Sequence, residues 1–178
     1  MIITISGMPG SGKSTIGKKL CEKYKLKRFS VGDFRRELAK KKGLSLAELN
    51  KIGEKERWTD EEADNWQINL GKKEDNFVID GRISYFFIPN SIKIFLAVSF
   101  EEGAKRIGMD KREGENAKNM DGMIKLIKER AESDLKRYKL YYNINPNDKK
   151  NYDFVLDTTN LPIEEVFSKV VRFIENKK

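Results

Sequence analysis

An α/β fold built around a parallel sheet is predicted by three features of this sequence. Residues 7–14 read Gly7-Met8-Pro9-Gly10-Ser11-Gly12-Lys13-Ser14, the G-x-x-x-x-G-K-[ST] pattern of a phosphate-binding P-loop. The motif stands between a short apolar run, Met1-Ile2-Ile3-Thr4-Ile5, and a segment in which Ile16, Leu20 and Cys21 fall at helical spacing. Further on, short apolar runs keep alternating with helical patterns, as strands and crossover helices of a parallel sheet do.

The elements follow in order. The first strand is read at residues 2–5 and the first helix at about 13–24. Arg28-Phe29-Ser30-Val31 reads as a strand ending at Gly32-Asp33, where Asp33 can cap a helix carrying Phe34, Leu38 and Ala39. Gly43 breaks that helix, and Ser45-Leu46-Ala47-Glu48 is a capping box that opens the next. Thr59-Asp60-Glu61-Glu62 repeats the signal for a helix to about Lys72. Phe77-Val78-Ile79 and Ile92-Lys93-Ile94-Phe95-Leu96 read as strands, and Phe100-Glu101-Glu102 starts a short helix. Residues 108–122 are charged, nearly without core residues and punctuated by Gly108, Gly114 and Gly122, which predicts a mobile loop. A long helix is expected from Met123 to Tyr142, a last strand at Tyr152–Leu156 and a last helix from Ile163 to Ile174. No internal repeat or linker separates domains, so one domain over residues 1–178 is expected.

Composition narrows the chemistry. The single cysteine excludes an internal disulfide framework and a Cys-based zinc site. The absence of His removes the usual neutral-pH general base, which disfavours hydrolases and suits phosphoryl transfer, where positioning and charge dominate. The net charge of +8 fits a polyphosphate site lined with Arg plus Lys-rich solvated faces; the other reading is an RNA partner, for which no aromatic-interleaved basic stripe is present. The first residues read as a strand rather than a signal peptide, no apolar run is long enough for a membrane span, and a cytoplasmic monomer is expected.

The P-loop glycines let backbone N–H groups close around phosphates at a helix N-terminus. Lys13 can reach the outer phosphates and the Ser14 hydroxyl can ligate Mg²⁺. Gly7, Pro9, Gly10, Ser11, Gly12, Lys13, Ser14 and Thr15 are therefore the candidate ATP-binding residues. Asp80 follows Phe77-Val78-Ile79, and a carboxylate at the carboxyl end of a parallel strand projects into the ligand crevice. It is read as the metal partner of Ser14 or, alternatively, as half of an Asp-Gly turn. Arg130, Asp134 and Arg137 share one helix face, where Asp134 can hold both guanidinium groups for a transferring phosphoryl group; a solvated, salt-bridged surface is the other reading. Ser30 with Arg35 or Arg36, and Arg82, lie after successive strands and can bind a second phosphate.

With these pieces in place, the chain resembles the nucleoside monophosphate kinases, and most closely the short cytidylate kinases of the archaeal type. The resemblance runs through Ile2–Gly7, the P-loop, Arg36-Glu37-Leu38-Ala39, Asp80-Gly81-Arg82, Arg130 with Asp134 and Arg137, and Asp157-Thr158-Thr159-Asn160-Leu161. It implies a P-loop NTPase fold: a five-stranded parallel sheet with helices on both faces, a helical acceptor-binding region at about 32–72 and a lid at about 108–122. It implies that Lys13, Arg130 and Arg137 are catalytic, that Arg106 faces the donor adenine or its phosphates, and that Ser30, Arg36, Asp64 and Arg82 bind the acceptor. Asp60, Asp64 and Gln67 match the family's acidic helix near the acceptor base, beside which Trp66 stacks on a base or packs in the core. The implied reaction is ATP + (d)CMP ⇌ ADP + (d)CDP with Mg²⁺, and the partners are small nucleotides. The alternatives are a kinase for UMP, AMP or a metabolite such as shikimate, and an ATP-dependent RNA-binding or ribosome-assembly factor on the same fold.

Overall fold

The computed structural model describes residues 1–109 and 119–177. Five strands, β1 (Ile2–Gly7), β2 (Lys27–Ser30), β3 (Phe77–Asp80), β4 (Ile92–Ala97) and β5 (Phe154–Asp157), form one parallel sheet in the order β2-β3-β1-β4-β5. The helices are α1 (Lys13–Tyr24), α2 (Val31–Lys41), α3 (Leu46–Gly53), α4 (Trp58–Lys73), α5 (Ser84–Phe87), α6 (Phe100–Met109), α7 (Met120–Tyr142) and α8 (Ile163–Lys177). The sheet order reverses at β1, so the P-loop leaves the sheet where flanking connections part to opposite faces and open a crevice.

Side chains alternate across the sheet and feed two cores. Ile3, Ile5, Val78, Ile94 and Leu96 pack with Ile16 and Leu20 of α1 and Val166, Val170 and Ile174 of α8. Phe77 and Ile79, offset by one from Val78, point the other way and pack with Leu70, Ile88 and Trp66. Both faces of the central strands are covered, which is why they read as continuous apolar runs.

Local chemistry explains the helix starts. Ser45 and Glu48 form the expected capping box of α3. At α2 the cap is Ser30, whose Oγ accepts from the backbone N–H of Asp33, so the helix begins at Val31 and Asp33 lies in its first turn rather than capping it. Likewise Thr59 is inside the first turn of α4, which starts at Trp58; there its hydroxyl bonds the Glu56 carbonyl and the Asp60 carboxylate. The final strand starts at Phe154, after a 3-10 turn at Lys149–Asn151. Of the expected lid at 108–122, residues 110–118 lie outside the described residues. Gly108 and Met109 end α6, and Gly122 is helical because Asn119 caps α7 by accepting from its N–H.

Candidate active site

The strand ends deliver the site. Gly7, Ser30 and Asp80 close β1, β2 and β3 at one edge of the sheet, and Ser30 and Asp80 are register partners. A cavity at this edge is lined by Pro9, Gly10, Gly12, Lys13 and Ser14 of the P-loop segment together with Ser30, Arg35, Arg36, Asp80, Arg82, Arg130, Asp134 and Tyr138. Five cations against two carboxylates give it a positive field suited to phosphates. The Lys13 ammonium donates to the Gly7 and Met8 carbonyls at 3.0 and 2.6 Å, folded back over its own loop. A second cavity on the other side of the P-loop is lined by Ser11, Thr15, Glu102, Arg106, Thr158, Leu161, Pro162 and Ile163. Gly10 and Gly12 border both.

The P-loop is held in shape by a close approach to α6. Gly10 has φ 77°, and a Cβ there would lie 2.4 Å from the Gly103 carbonyl oxygen, so a side chain is excluded by both conformation and space. A Cβ on Gly103 would in turn lie 2.7 Å from the carbonyl oxygen of Pro9. One turn further along α6, Arg106 donates to the Thr158 carbonyl at 2.7 Å and to its hydroxyl at 3.1 Å, with Glu102 accepting from its Nε at 2.9 Å. Arg106 is thus fixed in the wall of the second cavity by the segment after β5.

A buried ionic chain backs the first cavity. Arg35 donates to Asn50 and to Asp60, each at 3.0 Å. Asp60 also accepts from Arg137, whose other terminal nitrogen donates to Asp134. Asp134 is closed on its far side by Arg82 at 2.7 Å, and Arg82 also donates to the Gly7 carbonyl. Burial pushes the Asp134 carboxyl upward, but the Arg82, Arg137 and Arg130 guanidinium groups more than offset it and hold it well below the usual carboxylate range.

This geometry sorts the expected residues. Lys13, Ser14, Ser30, Arg36, Asp80, Arg82 and Arg130 share the first cavity, while Ser11, Thr15 and Arg106 face the second. Arg137 does not stand beside Arg130 in the cavity: it is 1% exposed and engaged by two carboxylates behind the wall. Asp64 is also away from the cavity, accepting from the Tyr142 hydroxyl; burial raises its carboxyl to about 6, against the lowering effect of that hydrogen bond. Asp60 lies behind Arg35, and Gln67 is buried, accepting from Ser84 at 2.7 Å. Trp66 packs in the core, stacked on Phe34 with ring centroids 4.7 Å apart. Sequence reasoning passed over Arg28, which holds Asp80 at 3.0 Å, and Asn50 and Tyr138 of the lining. Only the strand register, which puts Arg28 two residues before Asp80's partner Ser30, could have pointed to the first of these.

The Ser14 hydroxyl and Asp80 carboxylate are hard oxygen donors in one cavity, a donor set that fits Mg²⁺. Among the described residues no three His, Cys, Asp or Glu side chains converge as a metal site, so these two would hold Mg²⁺ together with phosphate oxygens.

A P-loop at the carboxyl edge of a parallel sheet, facing a ring of arginines, defines a P-loop phosphotransferase. The profile of the cytidylate kinase-like family matches residues 2–160. The cytidylate kinase of Methanocaldococcus jannaschii is 40% identical, with 100% of this chain and 99% of that protein aligned. The cytidylate kinase of Pyrococcus horikoshii is 37% identical over 99% of this chain and 89% of its own. Among solved structures, a shikimate kinase from Bacteroides thetaiotaomicron superposes with a TM-score of 0.67 over 98% of both chains at 18% identity, a likeness of fold alone. The chain belongs to the cytidylate kinase-like family.

Proposed function

We propose that this protein transfers the γ-phosphate of ATP to CMP or dCMP, ATP + (d)CMP ⇌ ADP + (d)CDP. The observation that carries the reading is one cavity in which Lys13 and Ser14 face Arg36, Arg82 and Arg130, in a chain 40% identical to a cytidylate kinase. The shikimate kinases share the fold at 18% and 22% identity, so they do not compete for the acceptor assignment.

The P-loop N–H groups cradle the donor phosphates, and Lys13 exchanges its two carbonyl partners for phosphate oxygens. The donor base lies on the Arg106 side of the loop, in the second cavity. Arg36 and Arg82 grip the acceptor phosphate in the cavity they share with Lys13. Arg130 meets the charge that develops on the transferring phosphoryl group, while Arg137 acts one layer back by fixing Asp134. Ser14 and Asp80 would hold Mg²⁺, which would supply charge neutralisation at the donor phosphates. No strong general base is required, because the acceptor phosphate is already anionic.

ADP release measured across CMP, dCMP, UMP, AMP, GMP and shikimate tests the reading. The expected order puts the two cytidylates first in kcat/KM; a higher value for AMP or shikimate than for both would overturn it.

A further inference from the structure

We propose that Arg28 keeps Asp80 closed to free divalent metal, so that Mg²⁺ enters the site only together with the donor triphosphate. The proposal rests on the kinase reading above, which supplies the triphosphate. Arg28 sits on β2 two residues before Ser30, and strand alternation therefore points it the same way as the residue paired with Asp80. Its Nη2 donates to Oδ2 of Asp80 at 3.0 Å, and its Nη1 lies 3.7 Å from Asp33. Asp33 in turn accepts from Arg36 at 2.9 Å. A string of alternating charge thus runs from the metal carboxylate to an arginine of the first cavity, although Arg28 itself is not in the cavity lining.

Two further observations point the same way. The Nε of Arg28 is buried and makes no hydrogen bond, so the guanidinium is desolvated on that side and Asp80 is its shortest ionic contact. Of the two carboxylates lining the cavity with Ser14, Asp134 is held between Arg82 and Arg137, which leaves the Asp80 carboxylate that Arg28 contacts as the acidic donor for a metal. Mg²⁺ gives up its waters reluctantly and binds through one or two carboxylates plus substrate phosphates. With one carboxylate already neutralised, a bare dication gains little at this site and meets a fixed positive charge. A triphosphate brings its own anionic oxygens and tips the balance, leaving the second oxygen of Asp80 to join them.

The test uses Mn²⁺ as the oxygen-seeking probe, with the full-length protein free of nucleotide and the unbound metal read by its paramagnetic resonance signal. Arg28→Gln removes the charge and keeps hydrogen-bonding capacity; it should bind Mn²⁺ about tenfold more tightly than the wild type. Arg28→Lys should stay with the wild type. Adding Asp80→Asn to Arg28→Gln should return binding to the wild-type level, which locates the gain at this carboxylate. Equal Mn²⁺ binding by folded Arg28→Gln and wild type overturns the proposal, and so does an Arg28→Lys protein that gains as much as Arg28→Gln. Should Arg28→Gln not fold, wild type against Asp80→Asn decides. The proposal expects no difference without nucleotide, and a clear loss of Mn²⁺ binding in Asp80→Asn would refute it. No acceptor or turnover enters this measurement, so its failure is distinct from failure of the cytidylate assignment.

Discussion

Arg82, just past the end of β3, places its Nε 2.7 Å from a carboxylate oxygen of Asp134 on α7 while donating through Nη1 to the Gly7 carbonyl. One guanidinium group therefore ties the start of the P-loop to the helix that carries Arg130. Beyond Asp134 the chain continues through Arg137 and Asp60 to Arg35, so the position of α2 is referred back to the P-loop through ionic contacts rather than through apolar packing alone.

Asp134→Asn should be strongly destabilising. It leaves Arg82 and Arg137 without their shared carboxylate in a buried site, a situation that costs about 3–5 kcal/mol. Denaturant unfolding at neutral pH measures it. The linkage has a definite sign. The folded-state pKa of Asp134 is depressed, so its contribution is present above the ordinary carboxylate pKa and is lost as pH falls toward the depressed value. The wild type should therefore lose stability on acidification more steeply than Asp134→Asn.

Lys13→Ala should fold normally and lose phosphoryl transfer. The Lys13 ammonium bonds the Gly7 and Met8 carbonyls of its own loop and takes no part in the apolar cores, so its removal leaves the core packing intact. A preorganised charge acting in the transition state is worth on the order of 10²–10³ in rate. Single-turnover kinetics alongside a thermal melt separates the two effects.

Asp64→Asn should stabilise the protein at neutral pH. The carboxyl of Asp64 is raised to about 6, chiefly by burial, so stability from this group is present at low pH and declines as pH rises from the unfolded carboxylate value toward about 6. A neutral amide escapes that cost and can still accept from Tyr142. After discounting for partial exposure, the gain is about 1 kcal/mol at pH 7 and vanishes near pH 4. Melting curves at the two pH values check it.

Gly103→Ala should weaken the donor site with little effect on the acceptor. A methyl group 2.7 Å from the Pro9 carbonyl oxygen must push the P-loop away from α6. A displacement of this kind should raise the KM for ATP on the order of tenfold, with the KM for the acceptor near its wild-type value. Parallel ATP and CMP titrations distinguish this from general unfolding.

What the sequence made legible was local. The P-loop, the Ser45–Glu48 capping box and the alternating strands are set by neighbours within a few positions, and the structure has them. Helix periodicity placed Arg130, Asp134 and Arg137 on one face correctly but carried no depth. That Arg137 is buried depends on Asp60, which arrives from α4, 77 positions away in sequence. The start of α4 differs from the polar signal at Thr59 for a similar reason: the helix begins at Trp58, which packs against Leu38, Ala39 and Leu49. The four residues of α5 are too few to show a period. Arg28 was passed over because its meaning comes from strand register, which pairs β2 with a strand some fifty residues downstream.

Trp66, stacked on Phe34 at an interplanar angle of 14° and edge-on to Phe29, has one neighbour on α2 and another on β2. Phe34 stands immediately before Arg35 and Arg36 on the same helix, so any shift of those arginines on loading the cavity is transmitted to the indole's surroundings. The chain has two tryptophans, so a Trp58→Phe variant would leave Trp66 as the sole indole, and its ultraviolet emission would then report movement of α2 against a ring outside the cavity lining.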